Sequence, residues 1–292
     1  IGLYGHKSDG FMAEMLNYKY SKAERLEARL VFEATNNDRI EMANNDCNIW
    51  VRDTKNIDST RIESCFYKHG QAIVVLGDSH AMNLFNIFSA SAAYPFIIGV
   101  SQGGCRPHDN KESCHYNNFD KFSEAKSGMI NLIIYHQSGS YFIRDKDGHL
   151  DSQAAFESEF GGYDAENIDK VISYLENLGE ISDKQVIWLG PFLEYRRKPT
   201  SVLFSSDIKT VNPQSIERFA ELEKLLKSRL SAAKTLAYLK FNSVFMEPNI
   251  SFFDNCFIFR DTDHYSKCGE KLISKSFKKE LIENFKRSDS LD

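Results

Sequence analysis

The stretch that most restricts the fold is Ala72-Ile73-Val74-Val75-Leu76-Gly77, followed at once by Asp78-Ser79-His80-Ala81. Ala72–Leu76 is an unbroken apolar, β-branched run. A strand with one wet face alternates polar and apolar residues, so an unbroken run belongs in a parallel sheet covered on both faces. Gly77 ends the strand, and Ala81–Ala90 suits the helix that follows. Phe96–Val100, Asn131–Tyr135 and Gln185–Leu189 are further strand candidates, with Asn242–Met246 a weaker one. Between them, Asn167–Leu178 carries Ile168, Val171, Ile172, Leu175 and Leu178 at helical spacing, and Gly179 fits a stop. Asn212-Pro213 places a cap before Pro at the first helical position, and Ile216, Phe219, Leu222, Leu226 and Leu230 mark one face of the helix it starts. Leu272, Ile273, Phe277, Leu281 and Phe285 outline a C-terminal helix. Strands alternating with helices predict an α/β domain with a mostly parallel sheet.

The 292 residues carry 36 basic and 41 acidic side chains, a net charge of −5. Phosphate neutralisation needs a Lys/Arg surplus, so no nucleic-acid partner is expected. No apolar run approaches the ~20 residues of a bilayer span. Residues 1–45 are polar and mixed, with a helix possible over Asp9–Phe32. They read as an extension or linker packed on a main domain of residues 46–288. No charged and then apolar leader opens the chain at Ile1, which reads as a fragment of something longer or a processed product.

Six cysteines fall into three local couples: Cys47 with Cys65, Cys105 with Cys114, Cys256 with Cys268. None has the C-x₂-C spacing of a zinc site. An even count in short-range couples suggests three disulfides and an oxidising compartment. The alternative is six buried free thiols.

Ser79 stands just after a buried strand, at a helix N-terminus. The carboxyl ends of parallel strands line the ligand crevice, and free helix N–H groups favour developing negative charge there. This is the logic of a serine nucleophile, although Ala81 replaces the last Gly of a G-x-S-x-G elbow. The plain reading is a capping residue. A second signal, Arg260-Asp261-Thr262-Asp263-His264-Tyr265-Ser266, puts a carboxylate three residues before an imidazole. Asp261 can fix the tautomer of His264 and stabilise its imidazolium, leaving the other nitrogen to take the proton of Ser79.

These blocks resemble the SGNH (GDSL-like) hydrolase superfamily. Gly77-Asp78-Ser79-His80-Ala81, Gly104-Cys105-Arg106-Pro107 and Asp261-x-Asp263-His264-Tyr265-Ser266 resemble one branch closely. That branch is the SGNH domain fused after the membrane domain of acyltransferase-3 proteins, which include bacterial O-antigen O-acetyltransferases. The opening Ser8-Asp9-Gly10-Phe11 is similar to the segment leaving their last membrane helix. The resemblance covers about residues 47–285. It implies a three-layer α/β/α, flavodoxin-like fold, with Ser79 as nucleophile, His264 as general base and Asp261 as its orienter. It implies an oxyanion hole from the Ser79 N–H, Gly104 (or Gly103) and an Asn in a third block. That Asn is missing: the chain reads His136-Gln137-Ser138-Gly139, so Gln137 is the candidate replacement, against a plain exposed loop residue. The resemblance also implies an acyltransferase-3 membrane domain N-terminal in the same polypeptide, joined through residues 1–45. Acetyl-CoA would be the ultimate donor through that domain, with no cofactor or metal bound here. The acceptor would be a polysaccharide such as lipopolysaccharide O-antigen, on the periplasmic side of the bacterial inner membrane.

Other readings are a stand-alone esterase of the same fold, a non-catalytic glycan-binding module, and a metallophosphoesterase suggested by Asp78-x-His80. The last lacks the expected Asn-His block. Among single residues, His80 is either a ligand contact or a helix residue facing solvent, and Asp263 competes with Asp261. Tyr141 either lines an acceptor site or packs. Arg196, Arg197 and Lys198 form a solvated loop or meet an anionic glycan. Phe252–Phe259 is core or a sugar-stacking shelf.

Overall fold

The computed structural model describes residues 21–36, 46–109, 114, 116–231, 233, 236–245 and 249–288. The chain runs through α1 (Lys22–Asn36), β1 (Asn48–Val51), α2 (Ser59–His69), β2 (Ala72–Gly77), α3 (Ser79–Ser91), β3 (Ile97–Ser101), α4 (Tyr116–Ala125) and β4 (Ile130–His136). A hairpin of β5 (Ile143–Asp145) and β6 (Phe160–Tyr163) follows, then α5 (Ala165–Ser182), β7 (Val186–Leu189), α6 (Pro213–Leu230), β8 (Leu236–Leu239) and the short α7 (Phe241–Val244). A second hairpin of β9 (Phe252–Phe253) and β10 (Cys256–Phe257) precedes α8 (Lys267–Ser274) and α9 (Lys279–Ser288).

Six strands form one sheet in the order β1-β3-β2-β4-β7-β8, every neighbouring pair parallel and flanked by helices. Every residue of β2, β3 and β7 is buried, as expected for strands covered on both faces. From β2 the chain passes to β3 on one side and then crosses back to β4 on the other. The connections therefore part between β2 and β4, which opens a crevice beyond their carboxyl ends. Gly77 is what lets these ends meet. A Cβ there would lie 1.8 Å from the His136 carbonyl oxygen and 2.9 Å from the Ala81 Cβ.

Four sequence expectations shift. Asn242–Met246 is not a strand: the edge strand is β8, and Phe241–Val244 turns as a helix that buries Phe241 and Val244, three apart, on one face. A short apolar run does not distinguish the two by period alone. The strand β1 was not anticipated. The C-terminal helix breaks into α8 and α9, with Phe277 between them packed on Phe88 and Phe245 at ring distances of 5.1 and 5.2 Å. The early helix is Lys22–Asn36, burying Ala28, Val31 and Ala34 beside β10; the part of Asp9–Phe32 before residue 21 lies outside the described residues.

Three disulfides join Cys47–Cys65, Cys105–Cys114 and Cys256–Cys268. Among the described residues, no helix is long and apolar enough to cross a membrane.

Candidate active site

Ser79 is the first residue of α3, and Asp78 caps that helix by accepting the His80 N–H at 2.9 Å. The Asp78 carboxylate is fully buried and ties three segments together. It accepts the Ser138 N–H after β4 at 3.3 Å and lies 3.1 Å from Nε of Arg106, in the loop after β3. Arg106 is itself buried, with its guanidinium 3.1 Å from the centroid of the Tyr141 ring. Tyr141 therefore packs behind the nucleophile's cap.

His264 comes from the other end of the chain, 185 positions on, and its Nε2 stands 2.8 Å from Ser79 Oγ. The Arg260–Ser266 loop that carries it is closed by the Arg260 N–H donating to the His264 carbonyl at 2.9 Å. It is flanked by a Phe259/Tyr265 bridge and by the Ser266 cap of α8. The Cys256–Cys268 disulfide spans the whole loop. α8 then sits so close to the preceding segment that a Cβ on Gly269 would lie 2.3 Å from the Ile258 carbonyl oxygen.

Nδ1 of His264 faces two carboxylates. Asp261 lies at 2.9 and 3.1 Å and also accepts the backbone N–H groups of Asp263 and His264 at 3.1 and 2.8 Å. Asp263 lies at 3.3 Å and reaches with its other oxygen to His80 Nε2, also at 3.3 Å. Burial alone would lower the pKa of His264. The hydrogen bonds to Asp261 and Asp263 outweigh it and raise the pKa to about 9. Burial pushes Asp263 up, but its bonds to His264 and His80 prevail and hold it well below the usual carboxylate range.

His80 is not a solvent-facing helix residue. It is fully buried, stacked on Phe192 at 4.4 Å and 5°. Asp78 and His80 have different partners, Arg106 and Asp263. Gln137 is not an exposed loop residue either. It is 1% exposed, its Oε1 accepts the Tyr135 hydroxyl and its Nε2 donates to the Ser138 carbonyl at 3.3 Å. A Cβ on Gly103 would lie 3.9 Å from the Ser79 Cβ. Gly104, with φ +74°, takes the left-handed position of a turn closed by the Cys105 N–H on the Gln102 carbonyl at 3.1 Å. Ser79 and Gly103 share a cleft of about 370 Å³.

Arg196 is no solvated loop residue: it is 4% exposed and paired with Asp151 at 2.7 Å and Glu194 at 3.1 Å. Arg197 lies 3.5 Å from Asp207. In Phe252–Phe259, Phe257, Ile258 and Phe259 are core, while Phe253 is exposed.

Residues 46–279 match the family described as the SGNH domain fused to AT3 domains. The chain belongs to that family. Its SGNH domain is similar to an SGNH hydrolase from Slackia heliotrinireducens at 14% identity, over 70% of this chain and 96% of that one, with a TM-score of 0.39. It is similar to a carbohydrate acetylesterase from Sinorhizobium meliloti at 12% identity, over 70% and 94%, with a TM-score of 0.39. It is also similar to a salicylyl-acyltransferase from a tetracycline biosynthetic pathway at 13% identity, over 73% and 54%, with a TM-score of 0.33. No curated protein matches it.

Proposed function

We propose that this SGNH domain transfers an acetyl group through an acyl-serine on Ser79 to a hydroxyl of a cell-surface polysaccharide, such as lipopolysaccharide O-antigen. The observation that carries this reading is the continuous chain Ser79 Oγ, His264 Nε2, His264 Nδ1 and Asp261 at 2.8 and 2.9 Å. His264 takes the hydroxyl proton as Ser79 Oγ attacks the donor carbonyl. Asp261 holds the ring in the tautomer that leaves Nε2 free to accept. The developing oxyanion is met by N–H groups at the start of α3 and at Gly103, each worth up to ~3 kcal/mol of barrier. The imidazolium returns its proton to the leaving group. In the second half, the acceptor hydroxyl gives its proton to His264, its oxygen bonds the acyl carbon, and Ser79 departs and is reprotonated.

The family's fusion to AT3 domains supports a membrane domain as the source of the acetyl group, with acetyl-CoA as the ultimate donor. The three disulfides support a periplasmic setting, because such bonds persist where the surroundings oxidise. Residues 1–45 would be the connecting extension. A carbohydrate esterase would use the same residues with water as acceptor.

Incubation with 4-nitrophenyl acetate followed by intact mass tests the first half. One acetyl group should appear, map to Ser79 and vanish in His264→Ala. An unacylated Ser79 would overturn the reading. An acetyl-serine that passes only to water, with acceptor glycan and membrane domain supplied, would establish the esterase.

A further inference from the structure

The cleft beside Ser79 has a second wall that the chemistry above leaves unused. It is built by Trp50, Arg52, Met82, Ser101 and Gln102. Trp50 lies in β1, opposite Gly99 of β3. A Cβ on Gly99 would stand 3.2 Å from Trp50 Cδ1 and 2.6 Å from Phe85 Cδ2, so the missing side chain gives the indole its seat. The Trp50 Nε1–H donates to Ser101 Oγ at 2.9 Å, which fixes the ring while leaving it half-buried on the cleft. An aromatic ring held in advance, with one polar edge satisfied, binds without ordering cost.

Arg52 is two residues further along, exposed, and is the one charged side chain among those lining this cleft. Among the described residues no carboxylate pairs with it. The adjacent Asp53 is occupied elsewhere, accepting the Lys55 N–H at 3.0 Å and the Asn118 amide at 2.9 Å. The contrast with the other buried or cleft arginines is direct. Arg106 is held by Asp78, Arg196 by Asp151 and Glu194, and Arg197 sits near Asp207. A guanidinium with no carboxylate partner among the described residues, in one cleft with the nucleophile, is available to an anionic ligand. A guanidinium matches a carboxylate through two parallel N–H bonds.

A half-buried indole, a guanidinium with no carboxylate partner among the described residues and a reactive serine in one cleft suit a sugar ring carrying a carboxylate. Building on Ser79 as the acyl carrier, we propose that this cleft is the acceptor subsite and that it takes a uronic-acid residue. The ring lies against Trp50, the carboxylate pairs with Arg52, and a ring hydroxyl points to the acyl-serine. Its oxygen takes the acyl group and its proton goes to His264. The cleft volume of about 370 Å³ falls in the ~300–1,000 Å³ range of small-molecule pockets.

The test is titration of the whole chain with an oligogalacturonide and with the neutral galacto-oligosaccharide of the same length, at low and high salt. The acidic ligand should bind at least ten-fold more tightly, and salt should erode that preference. Arg52→Gln should bring the ratio of the two affinities to about one, Arg52→Lys should keep part of it, and Trp50→Ala should weaken both ligands. Equal affinities for the two, no binding of either, or a ratio untouched by Arg52→Gln would overturn the proposal. Ser79 acylation, measured separately, distinguishes the failures. An unacylated Ser79 takes down the catalytic reading and this one with it, whereas normal acylation with no acid preference removes the uronate subsite alone.

Discussion

The two halves of the site are held by different forces. Ser79 sits on an elbow between β2 and α3, and its position follows from a fully buried strand and a buried Asp78–Arg106 pair. His264 sits on an irregular loop, held by a disulfide across its ends and by hydrogen bonds to its own backbone. The nucleophile is thus placed by the core, and the base by local ties. Damage to the first should appear as lost stability, and damage to the second as lost activity in a folded domain.

The largest effect should come from Gly77→Ala, which forces a methyl against the His136 carbonyl. Such overpacking costs about 3 kcal/mol or more, and thermal unfolding should show a collapse in Tm or loss of soluble protein. An unchanged Tm would break the claim that the core places the elbow. Next is the Cys256→Ser, Cys268→Ser pair. Opening a loop closed across a sequence separation of 12 should cost about 3 kcal/mol. The variant should stay folded by circular dichroism, yet acylate Ser79 about ten-fold more slowly, because the loop that carries His264 loosens. If acylation is unaffected, the hydrogen bonds alone hold the base.

Asp263→Asn sharpens the loop side. Only neutral imidazole accepts the serine proton, so acylation should rise with pH towards the His264 pKa of about 9. Losing one carboxylate at Nδ1 should move that limb to lower pH, because a nearby negative charge favours the imidazolium. A limb that stays in place would make Asp261 the sole electrostatic partner. By the same token Asp261→Asn should cost about 10²-fold, less than the ~10⁴ of a triad with one carboxylate, since Asp263 remains within 3.3 Å.

The smallest effect concerns the tie between the two halves. Glu270 of α8 accepts from Asn83 and Asn86 of α3, and burial raises its pKa to about 7 against an ordinary 4.5. Its folded pKa is above its unfolded one. Its contribution to stability is therefore complete below pH 4.5 and lost as pH rises through about 7. Glu270→Gln keeps the accepting oxygen and cannot lose a proton. It should flatten Tm across that window and raise Tm by a few degrees at pH 8.

What could be read in the sequence follows the same division. The elbow was legible, because an unbroken apolar run, a glycine and a helix start are local signals. The family blocks named Asp261 and His264, and the structure places His264 against Ser79 and Asp261 against the other nitrogen of His264. Asp263 was legible as a competitor of Asp261, but the burial of His80 was not. It depends on Phe192 and Asp263 meeting His80 from other parts of the chain, and no spacing encodes that. For Gln137 and Arg196 the exposed-loop alternative fails for a shared reason. Their partners, Tyr135, Glu194 and Asp151, satisfy polar groups inside the fold, and composition does not register such pairing.

The absent methyl at Gly77 reaches further than its own turn. Since the end of β2 touches the end of β4 with no room for a methyl, the height of the reactive oxygen above the sheet is tied to an interstrand spacing, which backbone hydrogen bonds hold within narrow limits. Anyone grafting this elbow elsewhere would have to transplant the neighbouring strand as well.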